Sequence, residues 1–142
     1  MSASDRPEPG SPADWLRYAH SDLVLAETPP PTGVLLELLC YHAQQAAEKA
    51  LKAALLHLTR EEPPYTHSLR RLQQHLEQAS APRPLPLSKE AAARLTTYAI
   101  LSRYPADVGE VDKAEWQQAI ADARLAVRWA ESVVSPGREG KS

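Results

Sequence analysis

Apolar positions recur every three or four residues in five separate stretches of this chain, the rhythm of a helix with one face turned inward. In the first, Leu16, Ala19, Leu23 and Ala26 follow Asp14, a residue suited to capping. In the second, Ala43, Ala47, Ala50 and Ala54 lead to Leu58. The third opens with the capping residues Thr66-His67-Ser68 and carries Leu69, Leu72 and Leu76. The fourth begins at Ser88 and aligns Ala91, Leu95 and Tyr98. The fifth is the most regular: Trp116, Ile120, Ala123, Val127, Ala130 and Val134. No stretch alternates with the period of two that a half-buried strand needs. The pattern predicts helices over 13–27, 34–60, 67–79, 88–101 and 113–134. The fold class is therefore all-α, an up-and-down bundle of four to five helices.

Proline marks the boundaries. Inside a helix it costs about 3 kcal/mol through a lost N–H bond and a ring clash. The thirteen prolines gather before the first stretch, at Pro29–Pro31, at Pro63 and Pro64, and at Pro82, Pro84 and Pro86, with single copies at Pro105 and Pro136. The five glycines fall at or near the same breaks. With 142 residues the chain suits one domain. Residues 13–135 form it, and the Pro/Ser-rich 1–12 and the 136–142 tail are expected to be disordered.

Val34 to Arg60 holds neither proline nor glycine, and a helix of that length spans about 40 Å. Its first half, VLLELLCYHA, is apolar on nearly every side, where a surface helix shows a polar half. Such a helix is either central to the bundle or covered on a second face by another chain. A homodimer is expected on that ground. One polar stripe runs along it: His42, Gln45, Lys49 and Lys52, at spacings that share a face. Glu48 stands beside it, four residues before Lys52, in position to pair. The stripe has two readings. An imidazole, an amide and two ammonium groups in a row suit a groove for a phosphate-bearing ligand, and they equally supply the solvated face that a soluble helix requires.

Composition narrows the functions. A net charge of −2 with both signs interspersed argues against a strongly cationic nucleic-acid binder, though not against a small basic groove. The single Cys40 excludes an internal disulfide framework and any zinc site built on several cysteines. No His/Asp/Glu spacing suggests a metal site and no glycine-rich phosphate loop is present, so no metal or cofactor is expected. The chain has no leader-like start and no apolar run long enough for a bilayer, so a cytoplasmic protein without a membrane partner is expected. Of the other histidines, His20 and His57 fit packing or surface roles, His75 shares a solvated face with Arg71, and His67 belongs to the turn that starts the third helix.

Three segments together resemble the HEPN family of helical domains: YHAQQAAEKALKAAL at Tyr41–Leu55, the THSL turn at Thr66–Leu69, and YAILSRYP at Tyr98–Pro105. Their order and spacing span nearly all of 13–135. The resemblance implies a dimeric bundle tied to RNA and nucleotide chemistry. Many members are metal-independent endoribonucleases bearing an Arg followed four to six residues later by His. Many bacterial members act with a small nucleotidyltransferase, often as a toxin–antitoxin pair. Others bind nucleotide or are purely accessory.

Arg103 matches the family's arginine, but the next six residues, Tyr104 to Gly109, include no histidine. Metal-free RNA cleavage needs a group to take the proton of the 2′-hydroxyl, and imidazole is the side chain poised for that near neutrality. A guanidinium neutralises phosphate but stays protonated. The expected function is accordingly an accessory HEPN protein, acting with a nucleotidyltransferase and binding nucleotide or RNA phosphate, with no ribonuclease activity of its own. Its expected ligand-binding residues are Arg103, Tyr104, His42, Gln45, Lys49 and Lys52. Pro105 disfavours helix at the residue before it, which places Arg103 and Tyr104 in a linker where a guanidinium fork can meet phosphate beside a phenol. The alternative is an endoribonuclease, the toxin of a pair, that uses His42 as its base together with Arg103.

Overall fold

The computed structural model describes residues 6–100 and 110–135. Arg103 and Tyr104, the outer parts of both termini and the last residue of the expected fourth helix lie outside the described residues. Five α-helices follow one another: α1 (Pro12–Glu27), α2 (Leu36–Thr59), α3 (Leu69–Gln78), α4 (Lys89–Thr96) and α5 (Lys113–Val134). Among the described residues there is no strand, as the periodicity predicts.

Each start has a local cause. Ser11 rather than Asp14 caps α1: its hydroxyl accepts from the Asp14 N–H at 3.2 Å, and Pro12 opens the helix where a missing N–H costs nothing. Asp14 serves the same turn from inside, its carboxylate accepting from the Gly10 N–H at 3.0 Å and from Arg17. Ser68, Ser88 and Asp112 cap α3, α4 and α5 in the same way. The second helix begins two residues later than expected, after an extended Leu35, and ends on Arg60 in the left-handed region at φ 59°.

The fourth helix falls short of expectation. It gives way to a 3-10 turn at Thr97–Ile100. Two adjacent threonines explain the change. Thr96 donates its hydroxyl to the Ala92 carbonyl at 2.6 Å while accepting from the Leu69 N–H, and Thr97 donates to the Arg94 carbonyl. Such back-bonding competes with regular helix, and β-branching stiffens both residues.

The long α2 is the centre of the bundle and lies against all four other helices. Its Ala43, Ala46, Ala47, Ala50, Ala53 and Ala54 are completely buried, which lets the neighbouring backbones approach closely. Much of the apolar surface that suggested a second chain is thus covered within this one. Leu38 in its first turn stays exposed, as do Val34 and Leu35 just before it and Val24 and Leu25 toward the end of α1. No helix among the described residues is long and apolar enough to cross a membrane.

Candidate functional site

Helix α1 carries Trp15, Tyr18, Asp22 and Leu25 at helical spacing along one edge, and α2 carries Leu38, His42, Gln45, Lys49 and Lys52 along another. The α1–α2 pairing brings Asp22 against the α2 row. Its Oδ1 lies 3.0 Å from His42 Nδ1 and its Oδ2 accepts from Lys49 Nζ at 2.6 Å. A second carboxylate, Glu48, stands on α2 itself. Its Oε2 accepts from Lys52 Nζ at 3.0 Å, and its Oε1 meets His67 Nδ1 at 2.9 Å and the Gln44 amide at 3.1 Å. Gln44 also donates to the His67 carbonyl, and Gln45 donates to the Gln44 side chain at 2.7 Å.

The four expected α2 residues fall into two separate polar clusters, His42 and Lys49 on Asp22, and Gln45 and Lys52 on Gln44 and Glu48, and they are not a bare cationic strip. Lys52 is buried beside Glu48, and Lys49 is tied to Asp22. Only His42, Gln45 and Lys49 reach solvent in part. The contact of Nδ1 with Asp22 is the arrangement by which a carboxylate orients an imidazole. Aromatic rings flank the lysines: Lys49 Nζ stands 5.9 Å from the centre of the Tyr18 ring and Lys52 Nζ 5.8 Å from that of Trp15.

Asp22, Trp15 and Tyr18 escaped the sequence reasoning, and His67, expected to serve its turn, also locks that turn onto Glu48. The signal for Asp22 was present: it breaks the apolar inward edge of α1 between Ala19 and Ala26, and an acid there needs a basic partner on the facing helix. Among the described residues no group of His, Cys, Asp and Glu could hold a metal ion. A separate buried cluster lies near the start of α2, where Tyr98 donates to Glu115 at 2.7 Å. Burial, aided by the nearby Glu115 and Glu37, pushes the Cys40 thiol up to about 12. This thiol is inert packing, not a nucleophile.

Fold and network together define a small all-helical domain whose first two helices share a carboxylate-anchored polar edge. The chain belongs to the HEPN family, whose domain model matches residues 12–133. It is similar to a solved structure, the crystal structure of TT1696 from Thermus thermophilus, with 30% identity, a TM-score of 0.63, and coverage of 86% of this chain and 97% of that one. The search of curated proteins finds no match.

Proposed function

We infer that this chain is a cytoplasmic accessory HEPN protein that works with a nucleotidyltransferase and binds nucleotide or RNA phosphate without cleaving RNA itself. The observation that carries the reading is the internal neutralisation of the α2 row. Lys52 is held by Glu48 and Lys49 by Asp22, so the row offers little free positive charge to a phosphate. Arg103, which keeps its charge at every physiological pH and has no histidine in the six residues after it, is then the principal phosphate contact. Tyr104 adds a phenol to stack or hydrogen-bond, and Lys49 and His42 stand as secondary contacts. A homodimer, or a partner chain in its place, covers Val24, Leu25, Val34, Leu35 and Leu38.

The test is RNA binding followed by fluorescence anisotropy over a range of salt. Arg103→Ala should weaken binding and lower the salt slope by about one counterion. Unchanged affinity overturns the reading. The His42–Asp22 contact favours a second reading, an endoribonuclease whose base is His42 oriented by Asp22. Cleavage of RNA in EDTA that disappears in His42→Ala and falls sharply in Asp22→Asn would establish it.

A further inference from the structure

A cleft opens beside the start of α1, and the phosphate chemistry above does not account for it. Gly10, Asp14, Trp15, Tyr18, Lys49 and Glu62 line a volume of about 290 Å³. That is the small end of ligand pockets, which run from about 300 to 1,000 Å³, and suits a single side chain or a ligand of that size. Two of its walls are aromatic: Trp15 is partly buried against the core and Tyr18 is exposed. Both rings already carry cations, Arg17 at 5.0 Å and Lys49 at 5.9 Å from the Tyr18 centre, and Lys52 at 5.8 Å from that of Trp15. A stacked aromatic ligand would compete with them. What the rings add to the cleft is apolar wall.

The charges around it cancel with one exception. Asp14 accepts from Gly10 and holds Arg17, and Asp22 neutralises Lys49. Glu62 is exposed and makes no hydrogen bond or ion pair among the described residues, so both its oxygens are uncommitted and the lining as a whole is negative. The Trp15 indole N–H has no partner among the described residues either, unlike those of Trp116 and Trp129. An anion would meet this negative lining, and could reach Lys49 only by displacing Asp22. A neutral aliphatic ligand gains the walls and leaves Glu62 in water. An aliphatic stem with a positive end uses both, the stem on the rings and the charge on Glu62. Of the two common cations, the planar guanidinium meets two free carboxylate oxygens with paired N–H donors, and it is less strongly hydrated than an ammonium.

We propose that this cleft binds a guanidinium group on an aliphatic stem, the guanidinium paired with Glu62 and the stem lying against Trp15 and Tyr18. The free indole N–H suits the carbonyl of a peptide that carries the guanidinium, so the expected source is an arginine side chain of a partner protein. The site uses neither phosphate nor Arg103.

N-acetyl-arginine amide and its citrulline counterpart, which keeps the shape and lacks the charge, are titrated against the full chain. Tryptophan fluorescence and the NMR signal of the Gly10 amide follow the binding. The arginine compound should saturate one site per chain at about 1 mM, the scale for a ligand of this size. The citrulline compound should bind about fivefold more weakly, the upper end for an exposed ion pair. Glu62→Gln should remove that difference and leave the affinity for the citrulline compound unchanged. Tyr18→Ala should weaken both compounds, because they share the stem. Both side chains are exposed, so both variants keep the fold, and circular dichroism verifies it. Butylguanidine, which has stem and charge without peptide groups, separates the sources: tighter binding of the arginine compound assigns a partner's arginine, equal binding assigns a small free guanidine. Absence of saturable binding by both guanidinium compounds, equal affinity for the arginine and citrulline compounds, or a difference that survives Glu62→Gln overturns the proposal. None of these outcomes depends on what Arg103→Ala does to RNA affinity.

Discussion

Asp22 and Glu48 each hold one lysine and one histidine, yet their surroundings give the two carboxylates different work. The partners of Asp22 are part-open, with 32% of the His42 side chain and 24% of the Lys49 side chain exposed. The lysine of Glu48 is 9% exposed and the buried Gln44 amide donates to the same carboxylate, while its histidine, His67, is 61% exposed. Lys52 cannot leave Glu48 without leaving a charge stranded in the core. Lys49, on the more open pair, keeps contact with water while it holds Asp22. One arrangement fastens the turn before α3 to α2, and the other joins α1 to α2 through a part-open lysine and imidazole.

The largest expected effect is that of Glu48→Ala. Removing one member of a buried pair leaves the other uncompensated, which costs about 3–5 kcal/mol, read from urea denaturation. Asp22→Asn should cost less, about 1.5–3 kcal/mol for weakened hydrogen bonds to charged groups, because Lys49 and His42 regain water. Equal losses in the two variants would break the comparison. The uncharged buried pair Cys40 and Tyr98 sharpens it at alkaline pH. Burial raises both groups, and the bond that Tyr98 donates to Glu115 adds to its shift. A group raised in the folded state contributes its full stability below the unfolded value, here 9.0 for the thiol, and loses it as pH climbs toward about 12. The unfolding free energy from urea denaturation should fall above pH 9 by at most about 1.4 kcal/mol per group per pH unit, and Cys40→Ala should flatten the thiol's share. The native thiol should also resist a disulfide reagent at pH 8 and react once the chain is unfolded. The smallest effect belongs to Asp14, an exposed ion pair. The Gly10 N–H first, and Arg17 second, hold its carboxyl below the usual 3.8. Its contribution is present above that value and is lost as pH falls through the lower folded one. Amides in the first turn of α1 should exchange faster there, and Asp14→Asn should remove the pH dependence.

How much of this was legible depended on how local each cause is. The fifth helix matches its expected span because its stripe and its Asp112 cap are both written in adjacent residues. The fourth does not, because two threonine hydroxyls divert the backbone and one of them also serves α3. The α2 row His42, Gln45, Lys49 and Lys52 was legible as a shared face, since helix geometry alone sets it. Its neutralisation was not, because Asp22 lies on another helix and only packing brings it there. The burial of Lys52 was hidden for the same reason: a lysine stem reads as polar until the surrounding turn is in place.

The position of α5 bears on how the chain is made. Among the described residues it is the last helix in order, and it seats Trp116, Ile120, Ala123 and Val127 against the rest of the core, with the Trp116 indole donating to the final turn of α1 at 2.8 Å. A ribosome adding about 5–20 residues per second finishes α2 several seconds before α5 exists. Throughout that interval the alanine-lined flank of α2 that α5 will cover is in water, a binding surface for chaperones. A message cut short before Lys113 would leave it bare for good, and quality-control proteases would meet an apolar helix that the finished protein never shows.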